Sequence, residues 1–207
     1  MRDVCDRYDE AERNGVLDLV DIGLAAIPVE VMDLTGLTEL SLAGNTIAEL
    51  PNDFAQLSNL TDINLDRNRI QNLPMFMMHF TGLTSLSMNQ NGMAVLPTIV
   101  CSITSLTELG LAHNKLLYLP PKLGVNSNLV HLHIEGNNLR CPPSEIANKS
   151  VAATMEYLLR MCVNPRASQA SSPSRTLAGT SAGRTAALTC QASPWTPCRW
   201  MACLSLR

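Results

Sequence analysis

Histidines two residues apart on an extended segment share one side of it, because strand side chains alternate between faces. His131-Leu-His133 has this spacing, with His113 and Glu108 upstream and Glu135 just beyond. Imidazoles and carboxylates so grouped could ligate a transition metal, or change charge near neutral pH. A metal needs ligands whose orientation is held by further hydrogen bonds, and an open row of short strands supplies none. The expectation is therefore no metal and no cofactor, with the histidines as proton-sensitive contacts. Other catalytic signatures are missing. There is no GxxxxGK followed by Ser or Thr, no GxGxxG after a strand and no HExxH, so nucleotide and zinc-protease chemistry lose their usual carriers. We expect no enzyme.

The seven cysteines (Cys5, Cys101, Cys141, Cys162, Cys190, Cys198, Cys203) form no CxxC pair, and the first four are widely scattered. A disulfide framework or structural zinc would need clustered spacings, so the expectation is free thiols in a cytoplasmic chain. Asn59-Leu-Thr61 and Asn148-Lys-Ser150 would then meet no glycosylation machinery. The charged start, Met-Arg-Asp-Val-Cys-Asp, does not read as a secretory signal. No run approaches 18 apolar residues, so no membrane-spanning helix is expected.

Something must hold the polar groups in place, and the chain repeats every 23 residues. From Leu37, Leu60, Leu83, Leu106 and Leu129 the same pattern opens: apolar at offsets 0, 3, 5, 10, 13, 17 and 20, Asn at 8, Pro at 14. A further copy starts at Asn14, with Leu17, Leu19, Leu24, Ile27, Pro28, Val31 and Leu34 in step. Of 42 apolar slots 38 are filled, where the chain's 46% apolar content would fill about 19. One 23-mer cannot enclose its own apolar side, so copies must stack, strand beside parallel strand.

Each recurrent polar or rigid residue has a reason. The column Asn45, Asn68, Asn91, Asn114 and Asn137 sits where the chain turns inward, and an amide can satisfy both the N–H and the C=O groups stranded there. The column Pro28, Pro51, Pro74, Pro97, Pro120 and Pro143 fixes φ and leads the chain onto the outer side. In the last copy Pro142 and Lys149 break the apolar slots; Asn126 does so in the copy at 106, where a distortion near Gly124–Asn128 is expected. End units need covers. Val4, Tyr8 and Ala11 have helical spacing before an Asn14-Gly15 stop, and Ser150 can cap a helix with Val151, Met155, Leu158 and Cys162 on one stripe.

This pattern resembles the leucine-rich repeat family, in its 23-residue intracellular form with a Leu-Pro pair, and within it the plant intracellular Ras-group-related proteins and Ras-pathway scaffolds. The resemblance covers about residues 14–162. It implies a curved α/β solenoid with a parallel concave sheet and short helical caps at both ends. The organisation would be an N-terminal cap at 1–13, repeats at 14–36, 37–59, 60–82, 83–105, 106–128 and 129–149, a capping helix at 150–163 and a tail at 164–207. By function it implies a non-catalytic scaffold for protein–protein contact in signalling, with a small GTPase or another signalling protein as partner. Two alternatives stay open: the recognition arm of a truncated larger enzyme (a ubiquitin ligase or a Roc-GTPase kinase), or an inert structural fragment.

Residues 1–163 hold 10 Lys and Arg against 18 Asp and Glu, a net −8, which argues against sequence-independent nucleic-acid binding. Between and after the strand leucines the concave wall would present Asp18, Glu39, Asp62, Asn64, Asp66, Arg67, Ser87, Asn89, Glu108, His113, His131, His133 and Glu135. Arg67 is its single permanent cation, so the expected partner is a protein with a basic contact surface. Six strands at about 5 Å give a wall about 30 Å long, sufficient for an interface of standard size. Residues 164–207 carry +5, no Asp or Glu, and no apolar period. Three readings fit them: a docking arm, a spacer, or translation in a wrong frame.

Overall fold

A computed structural model describes residues 4–163; the tail at 164–207, with its three readings, lies outside the described residues. The 23-residue repeat becomes one coil each time. Six three-residue strands, β1 (Val16–Asp18), β2 (Glu39–Ser41), β3 (Asp62–Asn64), β4 (Ser85–Ser87), β5 (Glu108–Gly110) and β6 (His131–His133), form one open parallel sheet in chain order. Every pairing advances by one repeat, from Leu17↔Leu40 to Leu109↔Leu132.

After each strand the chain crosses the core and meets proline. All six column prolines have φ between −70° and −56° and start a helical turn. Five are 3-10 turns: Val29–Asp33, Asn52–Gln56, Met75–His79, Thr98–Ser102 and Pro121–Val125. Each closes on its proline carbonyl, as in Phe54 N–H to Pro51 at 3.1 Å and Leu123 N–H to Pro120 at 2.9 Å. Strands approach to about 4.8 Å while the bulkier turns cannot, so the stack bends with the sheet inside.

Between sheet and turns lies one apolar core, including Leu17, Leu40, Ile63, Leu86, Leu109 and Leu132. Phe54, Phe76 and Phe80 meet at centroid distances of 6.0–6.3 Å beneath the second and third turns. The asparagine column stitches the coils. Each Nδ2 donates to a carbonyl of the preceding coil at 2.8–2.9 Å, for example Asn68 to Leu42. Each Oδ1 accepts a backbone N–H of that same coil at 2.9–3.0 Å, Ile47 in the case of Asn68.

A second ladder was not foreseen from the apolar pattern. Thr38, Thr61, Thr84 and Thr107 donate their hydroxyls to the carbonyl one repeat earlier at 3.0–3.1 Å. Their constant spacing of 23 was the available signal; Val130 occupies the next position and ends the series.

The ends are covered by helices. α1 (Val4–Asn14) buries Ala11 against the first coil and half-buries Tyr8. Gly15 ends it with φ +74° and an N–H to Ala11 at 2.9 Å, the conformation glycine adopts without strain. Val4 is 40% exposed, so the inward stripe is shorter than its spacing suggested. The last coil replaces its 3-10 turn by α2 (Ser144–Ala147), followed by α3 (Val151–Val163). Ser150 Oγ accepts the Ala153 N–H at 3.1 Å, a helix N-cap. Leu158 and Thr154 face the core, whereas Cys162 is exposed: the expected stripe through Cys162 is corrected, because α3 turns its 154/158 edge onto the fifth turn.

Where Asn126 takes an apolar slot the expected distortion is confined to one hydrogen bond: the N–H to carbonyl link that Leu37, Leu60, Leu83 and Leu106 make three residues back has no counterpart at Leu129. The turn there keeps five residues, and the buried amide donates to Ile103 at 3.3 Å and accepts the Asn128 N–H at 3.1 Å. An amide that finds both partners can replace a leucine without opening the coil. Gly124, two residues earlier, lies directly against the backbone of α3.

Candidate protein-binding face

The inner wall is built from the residues flanking the buried strand leucines. Its first column is Val16, Glu39, Asp62, Ser85, Glu108 and His131; the second is Asp18, Ser41, Asn64, Ser87, Gly110 and His133. Beyond the strands stand Val20, Ala43, Asp66, Asn89, Ala112 and Glu135. Glu39 and Asp62 are cross-strand neighbours, a like-charge pairing that costs stability where no cation intervenes. Asp18 and Asn64 each turn an oxygen onto a backbone N–H two residues on, Val20 and Asp66, at 3.0 Å.

The structure divides the expected contact residues into two groups. Asp66, Ser87 and Asn89 are half-buried and spend their polar groups on one another. Asp66 Oδ1 accepts the Ser87 hydroxyl and the Asn89 N–H, both at 2.7 Å. Asn89 Nδ2 donates to Asp66 Oδ2 at 3.1 Å, and its Oδ1 accepts the Ala112 N–H at 2.6 Å. Gly110 makes room for this, since a Cβ there would lie 2.5 Å from Ser87 Oγ. These three brace the middle of the wall. Asp18, Glu39, Glu108, His113, His131, His133 and Glu135 are exposed, as is Arg67, and Asp62 and Asn64 are partly so.

Glu108 and His131 are ladder partners along the backbone, but the Glu108 carboxylate reaches His133, with Oε1 3.5 Å from Nε2, and Glu135 approaches Nδ1 of the same ring at 3.8 Å. His133 thus sits between two carboxylates at the C-terminal end of the wall, while His131 and His113 stand apart from that group. Among the described residues, no three or more His, Cys, Asp and Glu are placed to hold a metal ion.

One thiol is shielded from chemistry for a physical reason. Cys101 is buried beneath the fourth turn, and desolvation pushes its thiol up to about 11, with Lys122 opposing weakly. We expect iodoacetamide at pH 8 to modify Cys5 and Cys162 in the native chain and Cys101 only after unfolding, read by peptide mass spectrometry. The sign for stability follows. The unfolded thiol, near 9, ionises before the folded one, so the contribution of Cys101 is intact below pH 9 and is lost as pH climbs toward 11. Native labelling of Cys101 at the rate of Cys162 would contradict this burial.

Among the described residues no helix is long and apolar enough to cross a membrane. Residues 16–70, and overlapping them 35–93, match a family model described as leucine rich repeat. No curated protein matches the chain. Repeats of this family generally mediate protein–protein contact and are typically non-catalytic, using the concave surface that stacking creates. With a strict 23-residue advance from strand to strand, asparagines stitched between coils and that family match, the described body is a leucine-rich repeat solenoid.

Proposed function

We propose that the chain is a non-catalytic scaffold of intracellular signalling that binds a basic protein surface on its concave wall. The observation that carries this is the imbalance of that wall. Asp18, Asp21, Glu39, Asp62, Asp66, Glu108 and Glu135 line it, against Arg67 and, at the first strand, Arg7, whose guanidinium donates to the Asp18 carbonyl at 2.7 Å. Adjacent carboxylates such as Glu39 and Asp62 repel, and a lysine- or arginine-rich surface laid across them would relieve the repulsion and be steered in by the field. The free thiols Cys5, Cys101 and Cys162 among the described residues support a cytoplasmic setting. The sequence resemblance favours a small GTPase or another signalling protein as the bound partner.

The test is a selection from a displayed library of random peptides against the full chain. Enrichment of Lys- and Arg-bearing peptides is expected, and Asp62→Lys with Glu108→Lys should weaken a synthetic copy of the best of them about tenfold at physiological salt. Peptides without basic character, or binding indifferent to the charge reversal, would overturn the assignment of this face.

A further inference from the structure

Six positions one repeat apart, Asp21, Gly44, Arg67, Gln90, His113 and Gly136, end the inner side of every coil, and all have left-handed backbone with φ between +54° and +71°. In five of the six a hydrogen bond to the next coil accompanies it. The N–H of each of the first five donates to a carbonyl of the next coil, Ala43, Asp66, Asn89, Ala112 and Glu135 in turn, at 2.7–2.9 Å. Glycine adopts this region freely, and Gly44 and Gly136 show that the column accepts it. Four coils nevertheless carry a side chain there against the steric preference of L-residues, Arg67 and Gln90 without the tolerance that Asp and His have.

The side chains form a continuous line. Arg67 Nη2 meets Asp21 Oδ2 at 3.2 Å across Gly44, where a Cβ would overlap the Asp21 carboxylate. The His113 ring lies over Gly136, where a Cβ would overlap Nδ1. Asp21, Arg67, Gln90 and His113 are all exposed. Among the described residues neither the Gln90 amide nor the His113 ring makes a hydrogen bond within the chain. Three successive coils therefore offer a guanidinium, an amide NH₂ and an imidazole N–H, about 5 Å apart. They stand beside a wall whose charge is dominated by carboxylates.

Resting on the concave wall as the binding face, we propose that this column is a second recognition line, which receives a carboxylate of the same basic protein. Arg67, held at one end by Asp21, keeps further N–H donors for it, and Gln90 and His113 complete the donor row. The partner is then a basic segment with an Asp or Glu on the side facing the column. Side chains stand where glycine is the less strained choice, and those of Gln90 and His113 make no hydrogen bond among the described residues, which points to contact with a partner.

The same displayed peptide library separates this from the reading beneath it. Against the native chain, selected peptides should combine basic residues with an Asp or Glu at a preferred distance. Against the triple variant Arg67→Gly, Gln90→Gly, His113→Gly they should stay basic and lose the acidic preference. A synthetic peptide from the first selection should bind the triple variant about tenfold more weakly, and replacing its acidic residue by Ala should cost as much on the native chain and nothing further on the variant. The melting temperature of the variant should stay level or rise by about 2 °C. Should that variant lose its cooperative melt, Gln90→Gly alone, whose side chain makes no hydrogen bond among the described residues, carries the same comparison. Basic peptides with no acidic preference that bind both proteins equally overturn the column and leave the wall; a selection with no basic preference overturns both.

Discussion

Asn68→Leu is expected to lower the unfolding free energy by about 3 kcal/mol. The side chain is buried, accepts the Ile47 N–H at 3.0 Å and donates to Leu42, Leu65 and Asp66 carbonyls at 2.9–3.2 Å. Leucine has comparable bulk but no polar atoms. The carbonyls keep other donors, since Asn45 reaches Leu42 and Asn91 reaches Leu65. The Ile47 N–H does not, and an orphaned buried donor costs about 1–3 kcal/mol on top of the hydrogen bonds lost. Urea unfolding should show a lower midpoint at unchanged slope. Asn137→Leu, in the half-buried last position of the column, should cost visibly less because water can reach the stranded groups. Equal losses at both positions, or none at Asn68, would mean that the column does not carry the coil-to-coil coupling described here.

Gly124→Ala should have an effect of similar size through a single methyl group. A Cβ on Gly124 would overlap the backbone nitrogen of Leu159 and lie 2.8 Å from the Leu158 carbonyl carbon and the Met155 oxygen. All three are backbone atoms of α3, so no side chain can swing aside, and the helix must lift. Lifting it uncovers Leu158, which is fully buried. Overpacking of this kind costs about 1–3 kcal/mol, and Leu158→Ala, which empties the same contact from the other side, about 2–5 kcal/mol. Hydrogen exchange should show lost protection across Val151–Val163 with β1–β4 unaffected. Gly82→Ala is the control, since a Cβ there meets nothing within 4 Å and its backbone is not left-handed. If Gly124→Ala melts with the native chain, the close approach of α3 to the fifth turn is wrong.

Leucine, asparagine and proline columns could be read from the chain alone because each reports a local demand that recurs. A strand leucine must point inward, a turn must satisfy its own N–H, and a proline must set φ; 23-residue spacing repeats the demand six times and lifts it above background. The acidity of the wall was legible for the same reason, since alternation places the residues between Leu40 and Leu42, or Ile63 and Leu65, on the open side.

Tertiary structure decided what depends on distances between columns, which no single repeat encodes. It drew Asp66, Ser87 and Asn89 into one brace and gave Glu108 to His133 instead of His131. It satisfied Asn126 from the neighbouring coil, and it turned α3 so that Thr154 and not Cys162 faces the core. The left-handed column joins coils the same way: at its first five positions the N–H donates to a carbonyl of the next coil. Repetition specifies the stack because its requirements are local and identical in every unit. The choice among side-chain partners waits for the coils to meet, because a contact of 2.7–3.5 Å is selected by geometry across units and not by spacing within one.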